Sequence, residues 1–214
     1  MSTPTKPIIL YWDTLSGHSH RVQLFLSLTG LPFEIKQIHL KQGEHKKPEF
    51  LALNPNGQLP AIDDNGTIVF DSNAILTYLA TKYDAARAWL PTDPTGLADV
   101  VRFLSFAAGP IEFSAADARL INVFGATSID RDTTQRVAGK FFPMLDRHLE
   151  NRSYVLGDTP TIADVANYTY IAHAPEGDID LVAYANIRSW LDRIEALPGF
   201  VPMQRTAVGL QKTA

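Results

Sequence analysis

The chain has 214 residues, of which 45% are apolar and 20% charged, an ordinary composition for a globular protein of about one or two domains. Its formal net charge of −4 gives no general attraction to nucleic acid or to an anionic membrane surface. The lack of cysteine excludes disulfides, thiolate metal sites and a cysteine nucleophile. No apolar run resembles a signal peptide or a membrane span, so we expect a cytoplasmic enzyme or binding protein.

The first part of the chain alternates strand and helix signals. An apolar run at 7–12 predicts a buried strand, and apolar residues at helical spacing over 21–29 predict a helix that ends before Gly30. Alternation over 33–40 predicts a second strand, parallel to the first. Between the first strand and the helix, residues 13–20 form a polar segment that predicts a turn.

The stretch 54–75 carries the most specific local signals. It begins with strong turn chemistry, and Asp-Asn-Gly at 64–66 then predicts a hairpin between two short strands. Asp71 or Ser72 is placed to cap the helix that follows. With a short helix at 48–53, the order is β-α-β, helix, β-β-α, which predicts a mixed four-stranded sheet of the thioredoxin-like type.

Strand signals stop beyond the polar segment 84–93. Helical patterns follow over 97–106, 111–124, 133–150 and 183–197, and Thr161 with Asp164 has the spacing of a capping box. We therefore predict a thioredoxin-like α+β domain at 1–83, a linker at 84–93 and an all-α domain at 94–214. No metal-ligand spacing is shown by His18, His20, His148 and His173, so we expect no metal.

Three motifs resemble those of the cytosolic glutathione S-transferase family and occur in the family's order. NPNGQLP at 54–60 resembles its NPxGQ(V/L)P turn, DSNAI at 71–75 its (E/D)SxAI helix start, and GDTPTIAD at 157–164 the capping-box signature of its helical domain. The resemblance extends over essentially the whole chain. It implies a cytoplasmic homodimeric detoxification enzyme that activates the thiolate of glutathione for attack on a small electrophile, without nucleic-acid or membrane partners.

The hydroxyl that would stabilise the thiolate has two candidates. A thiol with a pKa near ~8.5 is mostly protonated at neutral pH, so the anion needs a hydrogen-bond donor. Ser16 precedes the first helix and stands six residues before Val22, as the serine of the phi, theta and zeta classes does. Tyr11 is the alternative, since Tyr-Trp-Asp at 11–13 resembles the start of the mu class, although the following loop is one residue longer here. Ser16 could instead be only a helix cap, and Tyr11 only a core residue. Lack of cysteine excludes the mixed-disulfide chemistry of the beta and omega classes.

The resemblance also implies how the rest of glutathione is held. A cis Pro60 would leave the backbone of Leu59 to pair with the cysteinyl part as an added strand. Ser72 would meet the γ-glutamyl carboxylate at a helix N-terminus, and Asp71 the ammonium group of the same end. Gln58 would bond to that end or to the backbone, and Asp71 could alternatively be a plain helix cap.

His45 and Lys46 resemble the phi-class pair that meets the glycyl carboxylate, although the loop could also be an ordinary solvated one. Thr161 and Asp164 are expected to serve folding. Two other functions stay open from the sequence: a non-catalytic binding module of the same fold, and a glutathione-dependent isomerase, dehalogenase or peroxidase.

Overall fold

The computed structural model describes residues 3–207, which form two compact units. The first unit extends to Thr92 and also contains Leu197–Met203, which the sequence had grouped with the helical domain. The second unit comprises Asp93–Ala196 and, after that returning segment, residues 204–207.

The strands of the first unit form one mixed sheet. They are β1 (Ile8–Trp12), β2 (Phe33–Gln37), β3 (Ala61–Asp64) and β4 (Thr67–Phe70), in the spatial order β2-β1-β3-β4. β1 and β2 are parallel, whereas β3 is antiparallel to both β1 and β4. Asn65 and Gly66, with φ of 53° and 89°, make the hairpin turn, as Asn-Gly pairs do. The predicted thioredoxin-like sheet is confirmed.

Three α-helices accompany this sheet: α1 (Gly17–Leu28), α2 (Pro48–Leu51) and α3 (Ser72–Tyr83). Between β2 and α2, two short 3-10 turns occupy Leu40–Gln42 and Glu44–Lys46, so β2 ends three residues before the position 40 that alternation predicts.

Helix α1 begins four residues earlier than the apolar pattern predicts. Ser16 caps it, because Oγ of Ser16 accepts a hydrogen bond from the N–H of Ser19 at 3.2 Å. Its first turn is polar in sequence but largely buried in the fold. His20, for example, lies with Nε2 2.8 Å from the carbonyl oxygen of Val201 in the returning segment. A local sequence pattern cannot predict contacts with such distant partners.

The two faces of β1 have different neighbours. Ile8 and Leu10 are fully buried on one face, whereas Tyr11, on the other, packs with Phe50 of α2 and with Leu59.

Residues 84–92, predicted as a linker, belong to the first unit: Trp89 packs edge-on against Phe25 with ring centroids 5.4 Å apart.

The described part of the second unit is helical, as predicted. Its helices are α4 (Pro94–Ala108), a π-helix (Glu112–Ala116), α5 (Asp117–Phe124), α6 (Arg131–His148), α7 (Ile162–Ala172) and α8 (Ala185–Glu195). Asp164 completes the predicted capping box with Thr161 and also accepts hydrogen bonds from Val155 N and Trp190 Nε1, both at 2.9 Å. Within residues 3–207, no helix is long and apolar enough to cross a membrane.

Candidate glutathione site

The strand register brings three chain segments to one end of the sheet. Tyr11 of β1 lies opposite Ala61 of β3, and Ala61 lies opposite Phe70 of β4. The chain therefore leaves β1 toward Ser16, enters β3 from Leu59, and leaves β4 toward α3, all at this end. Residues that are far apart in sequence are thus brought together by backbone pairing alone.

Ser16 presents its hydroxyl at the N-terminus of α1. Because Oγ accepts the Ser19 N–H as the helix cap, the hydroxyl proton stays available for donation to an acceptor. The orientation of the helix adds the positive end of its dipole at the same place. Ser16 is half-buried, and its own N–H donates to the carbonyl oxygen of Asp13 at 3.1 Å. The arrangement suits stabilisation of an anion.

Tyr11 has the surroundings of a core residue. Its side chain is 7% exposed and packs edge-on against Phe50, with ring centroids 6.1 Å apart. Nζ of Lys36 lies 5.3 Å from the ring centroid. Burial, and secondarily the charge of Asp63, raises the pKa of the Tyr11 phenol, so it stays protonated at neutral pH.

The start of α3 combines an unusual backbone with a cap. Asp71 adopts φ of +70°, which is uncommon for a residue other than glycine and clusters at ligand sites. Its Oδ1 accepts the N–H groups of Asn73 and Ala74 at 2.9 and 3.0 Å, so Asp71 is the helix cap. Ser72 follows as the first helical residue and is buried.

Two residues of α1 that the sequence analysis did not single out contact Ser72. Arg21, only 1% exposed, donates from Nη1 to Oγ of Ser72 at 2.7 Å and to Oδ1 of Asn73 at 3.1 Å. Nδ1 of His18 lies 3.3 Å from the same Ser72 oxygen. The guanidinium therefore places a positive charge at the N-terminus of α3. The sequence signal that could have identified this contact was the presence of an arginine, Arg21, in the predicted apolar helix.

The turn before β3 is tied to the segment that carries His45 and Lys46. Lys46 donates from Nζ to the carbonyl oxygen of Gly57 at 2.8 Å. Gly57 has φ of +56°, and a Cβ there would lie 2.9 Å from the carbonyl oxygen of His45, so only glycine fits. The close approach brings the carbonyl oxygen of His45 and Nζ of Lys46 to Gly57, the residue before the exposed Gln58.

The surroundings of His45 favour the neutral form of its imidazole. Burial lowers the pKa of its imidazole, the charge of Lys46 lowers it further, and the charge of Asp13 opposes both. Nδ1 of His45 is buried and has no hydrogen-bond partner among residues 3–207.

Leu59 and Pro60 connect this turn to β3. The peptide bond between them is cis, as the resemblance implies. The Leu59 side chain is buried against Tyr11, whereas its backbone precedes the first paired residue of β3, Ala61. The carbonyl oxygen of Gln58 accepts from Nδ2 of Asn54 at 2.7 Å, which holds the turn closed.

Two domain models of known families match the chain. Residues 7–81 match the glutathione S-transferase N-terminal domain, and residues 112–198 match the C-terminal domain of the same family. The chain is also 31% identical over 205 residues to glutathione S-transferase 3 of Zea mays, covering 91% of each protein. It belongs to the glutathione S-transferase family.

Solved structures agree with this assignment. A delta-class glutathione transferase of Nilaparvata lugens is 36% identical, with a TM-score of 0.82 over 90% of this chain and 91% of that one. A glutathione transferase homologue of Drosophila mojavensis, with bound glutathione, is 27% identical, with a TM-score of 0.80 over 90% and 89%. The protein is thus a glutathione transferase enzyme that uses glutathione as a substrate.

In this transferase, among the described residues 3–207, no group of three or more histidine and acidic side chains is arranged to hold a metal ion.

Proposed function

We propose that Ser16 is the residue that makes the glutathione thiol reactive. The observation that carries this proposal is the cap geometry, in which the Ser16 Oγ accepts the Ser19 N–H and keeps its own proton for donation. The thiol loses its proton to solvent, and the Ser16 O–H donates to the sulfur anion. The sulfur then forms a bond to an electrophilic carbon of the second substrate, and the leaving group on that carbon departs with the electron pair of the bond that breaks.

The magnitudes are adequate for this role. Lowering a thiol pKa by about 2 requires roughly 2.7 kcal/mol of preference for the anion. One charge-assisted hydrogen bond contributes ~1.5–3 kcal/mol, and the end of a helix adds ~0.3–1 kcal/mol. Ser16 combines both contributions, whereas Tyr11 is packed among apolar side chains of the core.

The rest of the tripeptide is proposed to lie across the same end of the sheet. Leu59 pairs through its backbone with the cysteinyl part, and Ser72 at the start of α3 receives the γ-glutamyl carboxylate. The charge of Arg21 beside Ser72 supports an anion at this point. Asp71, although it caps α3 through Oδ1, has a second carboxylate oxygen for the ammonium group. Gln58 is exposed in the turn before β3 and is proposed to bond to the same end or to the backbone.

At the other end of glutathione, His45 and Lys46 are proposed to meet the glycyl carboxylate, with Lys46 supplying the charge and the neutral imidazole of His45 a hydrogen bond. A homodimer acting in the cytoplasm on a small electrophile completes the proposal, supported by family resemblance. No contact described here favours a non-catalytic module or an isomerase, dehalogenase or peroxidase.

The test is a titration of bound glutathione followed by the ultraviolet absorbance of the thiolate. We expect Ser16→Ala to raise the pKa of the bound thiol by one unit or more, on the order of 1.4 kcal/mol, and Tyr11→Phe to leave it unchanged. If Tyr11→Phe raises it and Ser16→Ala does not, the proposal is wrong. A wild-type protein that binds no glutathione would overturn it altogether.

Because Ser16 is also a helix cap, a second variant separates the two roles. Ser16→Gly also removes the hydroxyl but weakens the cap by only a few tenths of a kcal/mol, roughly, whereas Ser16→Ala costs ~0.5–2 kcal/mol. Equal thiol pKa values in the two variants, despite different stabilities, would assign the effect to the hydroxyl. A pKa that followed stability instead would assign it to the cap.

A further inference from the structure

Asp13 is a buried acid in the loop between β1 and α1 to which the proposed mechanism gives no part. Its side chain is 7% exposed, although an aspartate in a loop between a strand and a helix is ordinarily solvated. Burial of a carboxylate is costly unless hydrogen bonds compensate it, so its partners indicate what it holds in place.

One set of contacts fixes the loop that carries Ser16. Oδ1 of Asp13 accepts the N–H of Leu15 at 2.9 Å, and its carbonyl oxygen accepts the N–H of Ser16 at 3.1 Å. The N–H of Asp13 itself lies 3.4 Å from Oγ of Ser19, the residue whose own N–H the Ser16 hydroxyl oxygen accepts. Asp13 is therefore bonded on both sides of Ser16.

The other carboxylate oxygen reaches a different segment. Oδ2 of Asp13 accepts the N–H of Leu40 at 3.1 Å and lies 3.4 Å from Nε2 of Gln37. Leu40 opens the first 3-10 turn after β2, which leads directly to His45. One carboxylate thus links the two loops at which the proposed mechanism places the thiol and the glycyl end.

We infer that Asp13 is a positioning residue that holds the Ser16 hydroxyl at the place where it donates to the glutathione thiolate. The inference rests on the proposed role of Ser16. Asp13 contributes by geometry: with one oxygen on the Ser16 loop and the other on Leu40, it prevents the loop from moving away from the turn that follows β2.

The sign of the expected effect separates positioning from direct electrostatics. A negative charge near a thiolate disfavours the anion, so an aspartate acting only by its charge would raise the thiol pKa. Its neutralisation would then lower that pKa. If Asp13 instead aims the Ser16 hydroxyl, its replacement weakens the hydrogen bond to sulfur and raises the thiol pKa.

The experiment is the thiolate titration with Asp13→Asn. Asparagine can still accept the Leu15 N–H through its single oxygen, but its NH₂ group would face the donors at Leu40 and Gln37. We expect the pKa of the bound thiol to rise by roughly half a unit to one unit, which corresponds to a loss of about three- to tenfold in thiolate at a pH below that pKa. The transferase rate of Asp13→Asn should approach that of wild type as the pH rises above the pKa of the bound thiol. An unchanged or lowered thiol pKa would overturn the inference.

Asp64→Asn is the matched control, since Asp64 is also a buried, multiply hydrogen-bonded aspartate of the first unit but lies at the β3–β4 hairpin. It should lower stability and leave the thiol pKa unchanged. If the thiol pKa rose equally in Asp13→Asn and Asp64→Asn, the rise would be a general consequence of lower stability, and the positioning role of Asp13 would be overturned.

A double-mutant cycle completes the test. In a Ser16→Ala background, Asp13→Asn should not raise the thiol pKa further, because the hydroxyl it positions is absent. If Ser16→Ala leaves the pKa unchanged, the proposed function falls and the inference with it. If Ser16→Ala raises it and Asp13→Asn does not, the inference alone falls. Should Asp13→Asn fail to fold, amide hydrogen exchange on the wild type decides: rapid exchange at Leu15 or Leu40 would overturn the inference.

Discussion

Neutralising Asp64 should lower the stability of the first unit in a strongly pH-dependent way. Oδ2 of Asp64 accepts hydrogen bonds from the hydroxyls of Tyr78 and Tyr83, each at 2.7 Å, and from Nζ of Lys82 at 2.6 Å. Its Oδ1 accepts from Nδ2 of Asn65 at 3.0 Å. These bonds join the β3–β4 hairpin to the last turns of α3, and the carboxylate is only 1% exposed.

The magnitude follows from the pKa of Asp64. Burial alone would raise this pKa, but the hydrogen bonds from Lys82 and the two tyrosines outweigh it and lower the pKa from 3.8 to about 2. At about 1.36 kcal/mol per pKa unit, the difference corresponds to roughly 2.4 kcal/mol of stability. Because the Lys82 side chain is 42% exposed, solvent screens its charge, and we expect about 2 kcal/mol for Asp64→Asn at pH 7.

The sign of the pH dependence is fixed by the direction of the shift. A lowered pKa contributes stability that is complete above the unfolded-state value and is lost as the pH falls through the folded-state value. Urea unfolding of wild type and Asp64→Asn should therefore differ by about 2 kcal/mol at pH 7, by roughly half of that at pH 3, and by little near pH 2. A difference that stays constant from pH 7 to pH 3 would refute the assignment of a low pKa to Asp64.

Two further predictions concern the second unit. Glu176 is 7% exposed and accepts a hydrogen bond from Nε of buried Arg119 at 2.5 Å. Burial alone would raise the pKa of Glu176, but hydrogen bonds from His173, Thr206 and Arg119 lower that pKa to about 2. At neutral pH, Glu176→Gln should lower the free energy of unfolding, measured in urea, by ~3–5 kcal/mol. The difference from wild type should become smaller as the pH falls from above 4.5 toward 2. An equal difference at pH 7 and pH 3 would contradict this prediction. Asp164→Ala leaves the buried N–H groups of Val155 and Trp190 without their acceptor. Since each stranded donor costs ~1–3 kcal/mol, the substitution should lower the free energy of unfolding by ~2–6 kcal/mol. A Tm within roughly a degree or two of the wild-type value would show that Asp164 is dispensable.

The parts of the fold that were predictable rest on short-range rules. A short apolar run located β1, Asp-Asn-Gly at 64–66 located the hairpin, and the Thr161–Asp164 pair located the start of α7. The start of α1 was predicted wrongly because Gly17, Ser19 and the residues between them favour a turn when read locally. Burial by distant partners reversed that preference.

In the candidate site, too, local motifs predict some residues, whereas contacts between distant segments are known only from the tertiary structure. The residues predicted from the family motifs are brought to one end of the sheet by the register of β1, β3 and β4, which the sequence does not state residue by residue. Arg21 and Asp13 were not predicted. Their partners, Ser72 and Leu40, lie 51 and 27 positions away, beyond any periodic pattern.

The sequence by itself determined the family, the thioredoxin-like and helical halves, and the residue types at the site, because strand alternation, turn chemistry and capping are local properties of the chain. Tertiary structure decided which of the two hydroxyls caps a helix and which is enclosed by the core. Ser16 ends up at a helix N-terminus and Tyr11 against Phe50 because hydrogen bonds and apolar contacts between distant segments, rather than sequence spacing, fix where each side chain lies.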